Sequence, residues 1–237
     1  MHLERSYVAT CLDAYAGQTR QTTTVDLTST IVESLAQRMA AHDRLTHEHA
    51  QRVQRYAAAL AREAGISDAR LLGAIDLAAL LHDIGKLGIP THVLNKPGLL
   101  TKDEYEQVKQ HAIIGAKILS AAALPDSVAL LVRHHHENWD STGYPDGLGG
   151  EAIPIGARIL AIADCYDALT SDRPYRPAIS HASAVAMIQQ RRGSMYDADI
   201  AGAFLRIVHR PRFGPARAGA GRRQGRTESL WLQKRAV

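Results

Sequence analysis

The chain has 237 residues, of which 46% are apolar and 5% aromatic, enough for a sizeable core in one large domain or two small ones. Positions 210–237 hold eight of the 28 basic residues but only one of the 24 acidic residues. Positions 1–209 therefore carry 20 basic and 23 acidic residues, a net charge of −3, which does not indicate that this part of the chain binds nucleic acid. Two cysteines exclude a disulfide framework, and no membrane span or signal peptide is recognisable, so a cytoplasmic protein is expected.

The first half of the chain predicts helices that bury one face. Residues 1–25 lack sustained periodicity and are predicted to be an N-terminal leader. Apolar residues at helical spacing then predict helices over 26–41 and 46–64. Residues 71–81 are apolar almost throughout and predict a buried helix that ends at His82-Asp83.

The second half continues in the same way. Helices are predicted to begin near Thr101, at Pro125-Asp126 and at Ile155, and two more follow up to about residue 209. No alternating strand pattern is found, and alanine and leucine dominate, so the fold class is all-α. We expect one helical domain over 26–209, followed by a basic, disordered tail over 210–237.

Histidines and aspartates recur at the ends or on the buried sides of these predicted helices. The candidate metal ligands are His49, His82, Asp83, His111, His135, His136 and Asp164. Seven nitrogen and carboxylate ligands are too many for one ion but suit two. One division puts His49, His82, Asp83 and Asp164 on the first ion and His111, His135 and His136 on the second, with Asp83 bridging. The absence of a thiolate favours iron, manganese or zinc.

Such a centre favours phosphoester hydrolysis. A water or hydroxide held between two divalent ions is a nucleophile at neutral pH, and the same ions neutralise a phosphoryl group. Lys86, Arg173 and Arg176 are candidates to hold phosphate oxygens, although solvated loop positions are an alternative for the two arginines.

Three motifs carry a resemblance to a known family. His82-Asp83-Ile84-Gly85-Lys86 resembles the signature of the HD phosphohydrolase superfamily, and the runs 135–145 and 164–176 are similar to the second and third signatures of its HD-GYP branch. The resemblance implies an HD-type helical domain with the metal site inside the helix bundle. It also implies a centre of two or three divalent ions, iron or manganese expected, that hydrolyses cyclic di-GMP through a metal-bridging hydroxide to linear pGpG, in some members followed by GMP.

The resemblance also implies roles for individual residues. The seven ligands above fall on the family's metal positions, with Asp83 as the bridge. Lys86 and Asp167 would lie beside the bridging water, and Tyr144, Arg173 and Arg176 would contact the dinucleotide.

Two positions depart from the family pattern. Leu45 stands where members with three metals carry a glutamate, so two metals are expected. Ser141 replaces a glycine and costs on the order of 1 kcal/mol if that position needs positive φ.

Three alternative functions stay open: a catalytically weak sensor of the dinucleotide, a protein-docking module, and an HD enzyme acting on another nucleotide. A protein partner that supplies the regulatory signal is a further expectation, and nucleic acid is expected to bind only through the basic tail, if at all.

Overall fold

The computed structural model describes residues 24–42, 44–172 and 177–210, so nearly all of the predicted leader and of the predicted tail lies outside the described residues. Within those ranges the α-helices are α1 Thr24–His42, α2 Arg44–Glu63, α3 Ala69–Leu81, α4 Thr91–Leu94, α5 Lys102–Ala121, α6 Asp126–His134, α7 Ile155–Thr170, α8 His181–Gln190 and α9 Ala198–Ile207. One isolated bridge, Arg192 to Tyr196, is the β structure found in this part of the chain. The all-α prediction is confirmed.

The helix boundaries follow local signals that the sequence carries. Asp68 accepts hydrogen bonds from the first amides of α3. The predicted cap at Thr101 forms a reciprocal capping box with Glu104 at the start of α5. Two short helical elements follow α3, a 3-10 turn at Ile84–Gly88 and then α4. The sequence analysis predicted neither of them.

Small side chains let the central helices approach closely. Helix α2 packs against both α3 and α7, and alanines on all three helices are almost fully buried, among them Ala57, Ala61, Ala78, Ala79 and Ala161. Close approach of these helix axes brings side chains from their ends within reach of one another. Among the described residues, no helix combines the length and the apolar character that crossing a membrane requires.

The 3-10 turn after α3 is pressed against the backbone of α5. A Cβ atom at Gly85 would overlap the carbonyl group of His111 and the amide of Gly115, both on α5. A glycine is therefore required for close approach, and this contact sets the position of Asp83 and Lys86 relative to His111.

We predict that Gly85→Ala lowers the free energy of unfolding by about 2–3 kcal/mol, because the added methyl group forces the turn away from α5. The matched control is Gly73→Ala, since Gly73 is exposed inside α3 and an added Cβ meets nothing within 4 Å. That control is expected to gain about 0.5–1 kcal/mol from helix propensity. Urea denaturation of both variants checks this; equal stability for Gly85→Ala and the parent would contradict it.

Candidate metal centre

One group of candidate ligands joins α2, α3 and α7. His49 Nε2 lies 3.1 Å from Asp164 Oδ1, and His82 Nε2 lies 3.9 Å from the same oxygen. Asp83, directly after His82, places Oδ2 3.4 Å from His82 Nε2. These four residues are 2–8% exposed. The structure therefore brings together the four residues that were predicted for the first ion.

A second group joins α5 to the end of α6. His111 Nε2 lies 3.5 Å from His135 Nε2. The ring of His136 lies 5.0 Å from that of His111 and 3.9 Å from that of His135, centroid to centroid. Each of the three offers a nitrogen within 4.8 Å of the other two, and the same holds for the ligand atoms of His49, His82 and Asp83. Each triad falls within one of the two sets of residues that the sequence analysis assigned to an ion, and the binding of an ion by either set stays a prediction.

Asp83 lies between the two groups. Its Oδ2 faces His82, whereas its Oδ1 lies 3.8 Å from His111 Nε2. A carboxylate with one oxygen toward each triad has the arrangement of a bridging ligand.

Backbone carbonyls orient three of the imidazoles. The Nδ1 atoms of His82, His111 and His135 lie 2.8, 2.7 and 2.6 Å from the carbonyl oxygens of Ala79, Val108 and Val132, each three residues earlier. A proton on Nδ1 leaves the Nε2 lone pair available for a metal. Burial lowers the pKa of His111 to about 4 and that of His135 to about 3, so both rings are neutral at pH 7.

The residues present fit a divalent metal ion. His82 Nε2 is fully buried and makes no hydrogen bond, although it faces two carboxylates. Burial alone lowers the pKa of His82, but the charges of Asp83 and Asp164 outweigh it and raise the pKa to about 9. Such a site attracts a cation, and a divalent ion would satisfy the buried nitrogen and both carboxylates.

The two other predicted catalytic residues contact the first group in different ways. Lys86 Nζ donates to Asp83 Oδ2 at 2.9 Å, so its charge lies at the proposed bridge. The Asp167 carboxylate contacts His49 Nδ1 at 2.6 Å and Arg52 Nε at 2.6 Å. Its place beside a catalytic water stays a prediction. Arg52 was not predicted, although its position three residues after His49 on one helix is a usable signal.

Tyr144 lies at the edge of the second triad. Its ring stacks on His136 with a centroid distance of 4.8 Å and an interplanar angle of 28°. Lys109 Nζ lies 5.8 Å from the centroid of the same ring. An aromatic face and a lysine therefore border the ligand group, which is a suitable surface for an anionic ligand that carries rings.

A polar network anchors the loop that carries Tyr144. Arg133 donates two hydrogen bonds of 2.7 Å to Asp146, and His134 Nε2 lies 2.9 Å from the same carboxylate. Glu137 accepts the backbone amide of Asp146 at 2.8 Å. Because these partners are neighbours of His135 and His136, the loop is tied directly to the second triad. The sequence analysis did not identify Asp146 as the residue that anchors this loop.

Three predicted positions cannot be placed. Arg173 and Arg176 lie outside the described residues, and their contact with a dinucleotide stays a prediction. Leu45 belongs to α2, but its side chain lies outside the described part of the structure, so the inference of two rather than three metals also stays a prediction.

Comparison with known proteins places this arrangement in a family context. Residues 33–200 match the family model of the HD domain. Several curated relatives are named cyclic di-GMP phosphodiesterase; one from Thermotoga maritima is 42% identical over 167 residues, covering 70% of this chain and 45% of the relative. A Vibrio cholerae relative named 3'3'-cGAMP-specific phosphodiesterase 3 is 36% identical over 179 residues, covering 76% of this chain and 39% of the relative.

A solved structure shows the same fold. It is described as an HDG"Y"P protein from Bdellovibrio bacteriovorus, and it aligns with a TM-score of 0.58 and 22% identity over 69% of this chain and 52% of that chain. The chain spans less than half the length of the two curated relatives described above. The predicted resemblance to the HD superfamily is confirmed.

The backbone at Ser141 is left-handed, with a φ of +67°. This is the position where the family pattern has glycine, and the positive φ meets the condition under which a serine was expected to cost on the order of 1 kcal/mol. The Ser141 side chain lies directly over Gly149, where an added Cβ would overlap Ser141 Oγ. The chain accepts the strained serine because a glycine opposite makes room for it.

We predict that Ser141→Gly raises the free energy of unfolding by about 0.5–1 kcal/mol. The relieved left-handed strain of about 1–2 kcal/mol exceeds the entropy that glycine loses, about 0.5–1 kcal/mol. The control is Ser34→Gly at an exposed position inside α1, which should lose about 0.5 kcal/mol. Denaturant unfolding measures both, and a loss of stability in Ser141→Gly would overturn the prediction.

Proposed function

The chain belongs to the HD domain family, and from this membership we propose that it is a metal-dependent phosphodiesterase that hydrolyses cyclic di-GMP. The observation that carries the proposal is the convergence of seven buried ligand-type residues into two adjacent groups, four in the first and three in the second, with Asp83 of the first group reaching toward His111 of the second. The names of several relatives at about 40% identity support the substrate.

The residues that would hold the ions are those of the two groups. His49, His82, Asp83 and Asp164 would hold the first, His111, His135 and His136 the second, and Asp83 would contribute to both. We propose iron or manganese as the metal, because the nitrogen and carboxylate ligands include no thiolate. Bound divalent ions lower the pKa of a coordinated water and neutralise the charge on a phosphoryl group.

The chain's own residues supply orientation and charge. Lys86 is 15% exposed and already pairs with Asp83, so its cation is placed to attract a non-bridging phosphate oxygen at the bridge. We propose that Tyr144, stacked on His136, packs against the base or ribose, with the charge of Lys109 close by. Arg173 and Arg176 are proposed to bind phosphate on the strength of the sequence motif alone.

Another cyclic dinucleotide is the second candidate substrate. Relatives that are 36–40% identical are named 3'3'-cGAMP-specific phosphodiesterases. Since guanosine and adenosine nucleotides share the phosphodiester that the metal centre would attack, the ligand groups do not discriminate between them. A docking module without catalysis has no need of the buried imidazoles and carboxylates, so the ligand set favours an enzyme.

We predict that the protein, reconstituted anaerobically with Fe(II) or Mn(II), converts cyclic di-GMP to pGpG faster than it converts 3'3'-cGAMP at equal concentrations. Chromatography that resolves pGpG from GMP measures the products. Accumulation of pGpG supports the two-metal proposal, and preferential cleavage of 3'3'-cGAMP would reassign the substrate. Absence of turnover of either dinucleotide with two bound metals would reject the enzyme in favour of a sensor.

We predict different defects for the two charged residues of the HD motif. Asp83→Ala should lose metal and turnover together, because it removes the proposed bridge. Lys86→Met should keep both metals but lower kcat about 10²–10³-fold, because a charge placed for the transition state is lost. The control is Lys102→Met, an exposed lysine at the start of α5. Metal analysis and steady-state kinetics test this; normal turnover by Asp83→Ala would reject the two-metal centre.

A further inference from the structure

His49 is oriented differently from three of the other histidine ligands. The Nδ1 atoms of His82, His111 and His135 lie against backbone carbonyls, whereas that of His49 lies 2.6 Å from Asp167 Oδ2. A carboxylate partner both fixes the ring and makes the opposite nitrogen a stronger donor to a metal. The orientation of the His49 ring therefore depends on the Asp167 side chain, which a substitution can remove or displace, and not on the backbone.

The carboxylate that holds His49 needs support of its own. Asp167 is 1% exposed on α7, and besides His49 it accepts a hydrogen bond of 3.3 Å from Ser171 Oγ. A carboxylate that stays ionised at this depth requires a nearby cation.

Arg52 provides that cation with a fixed geometry. Its Nε donates to Asp167 Oδ1 at 2.6 Å and its Nη2 donates to Asp167 Oδ2 at 3.0 Å. The two hydrogen bonds hold both oxygens in one plane, which a lysine ammonium cannot reproduce. The Arg52 side chain is 16% exposed and lies one turn after His49 on α2. The same helix therefore carries both the candidate ligand His49 and the arginine that holds its carboxylate partner.

We propose that Arg52 is a positioning residue of the first ligand group: it holds Asp167, Asp167 holds His49, and His49 thereby presents Nε2 beside Asp164. This inference deepens the proposed function, but it depends only on the part of it that places a divalent ion at these ligands. Loss of Arg52 leaves a buried carboxylate without its cation and without the two hydrogen bonds that hold its plane, and Asp167 is then free to rotate away from His49.

The test is metal binding by the full-length chain in the absence of substrate. Mn(II) is titrated into the parent, Arg52→Lys, Arg52→Gln, Asp167→Asn and the double variant Arg52→Gln/Asp167→Asn. We expect Arg52→Gln to weaken one of two ions about 10–100-fold and leave the other unchanged. Arg52→Lys should restore part of the affinity, and electron paramagnetic resonance should show the signal of a coupled Mn(II) pair giving way to that of single Mn(II).

The double variant separates positioning from a general loss of stability. If Arg52 acts through Asp167, the double variant binds no more weakly than Asp167→Asn alone. The control is Arg55→Gln, since Arg55 is exposed on the same helix and should bind both ions like the parent. Circular dichroism and thermal melting in the absence of metal confirm that each variant folds, and the charge-neutral double variant remains usable if Arg52→Gln does not.

The outcomes separate this inference from the proposed enzyme. Parent-like affinity for both ions in Arg52→Gln, or equal weakening of both, overturns the role of Arg52 while leaving the phosphodiesterase proposal standing. Selective weakening of one ion supports the role of Arg52 even if the parent fails to cleave cyclic di-GMP. Failure of the parent to bind either Mn(II) or, under anaerobic conditions, Fe(II) overturns both.

Discussion

The structure depends on the need to compensate charge inside an apolar helix bundle. Asp83, Asp164 and Asp167 are 5%, 8% and 1% exposed, and each sits among residues of the core. An ionised carboxylate at such depth is costly by several kcal/mol unless cations and hydrogen-bond donors surround it. Lys86 partners Asp83, Arg52 partners Asp167, and imidazoles complete the set. A divalent ion held by these residues would complete the compensation, because it would give a partner to the buried His82 Nε2, which makes no hydrogen bond.

The helical scaffold meets this requirement through the ends of its elements. His82 follows the last turn of α3, and His135 and His136 follow the last turn of α6, where ring nitrogens reach carbonyls of the preceding turn. Buried alanines on α2, α3 and α7 bring those ends close together, and Gly85 allows the turn after α3 to lie against α5. The packing of the helices therefore sets the positions of the candidate ligands, since a shift of one helix would shift the ligands that it carries.

Polar contacts hold the loop beside the second triad, in addition to the packing of Tyr144 against the apolar cluster of Ile89, Val93 and Val108. Arg133, His134 and Glu137 all reach Asp146, which fixes the loop immediately after Tyr144. Such a loop keeps an aromatic ring against His136 while remaining near solvent, where a substrate must enter. The strained backbone of Ser141 lies in the same loop, as functional loops commonly tolerate local strain.

The sequence by itself determined the all-α class and most helix boundaries, and it singled out the seven candidate ligands. Helical periodicity and capping residues are local signals, and histidines at the ends of apolar helices stand out because burial without a partner is unfavourable. The tertiary structure decided how those ligands divide around Asp83, which oxygen faces which triad, and how the histidines are oriented. Arg52 and Asp167 are 115 positions apart, and Asp146 is 13 positions from Arg133. Pairings of this kind have no periodicity, so only the packing of α2 against α7, and of the loop against α6, brings the charges together.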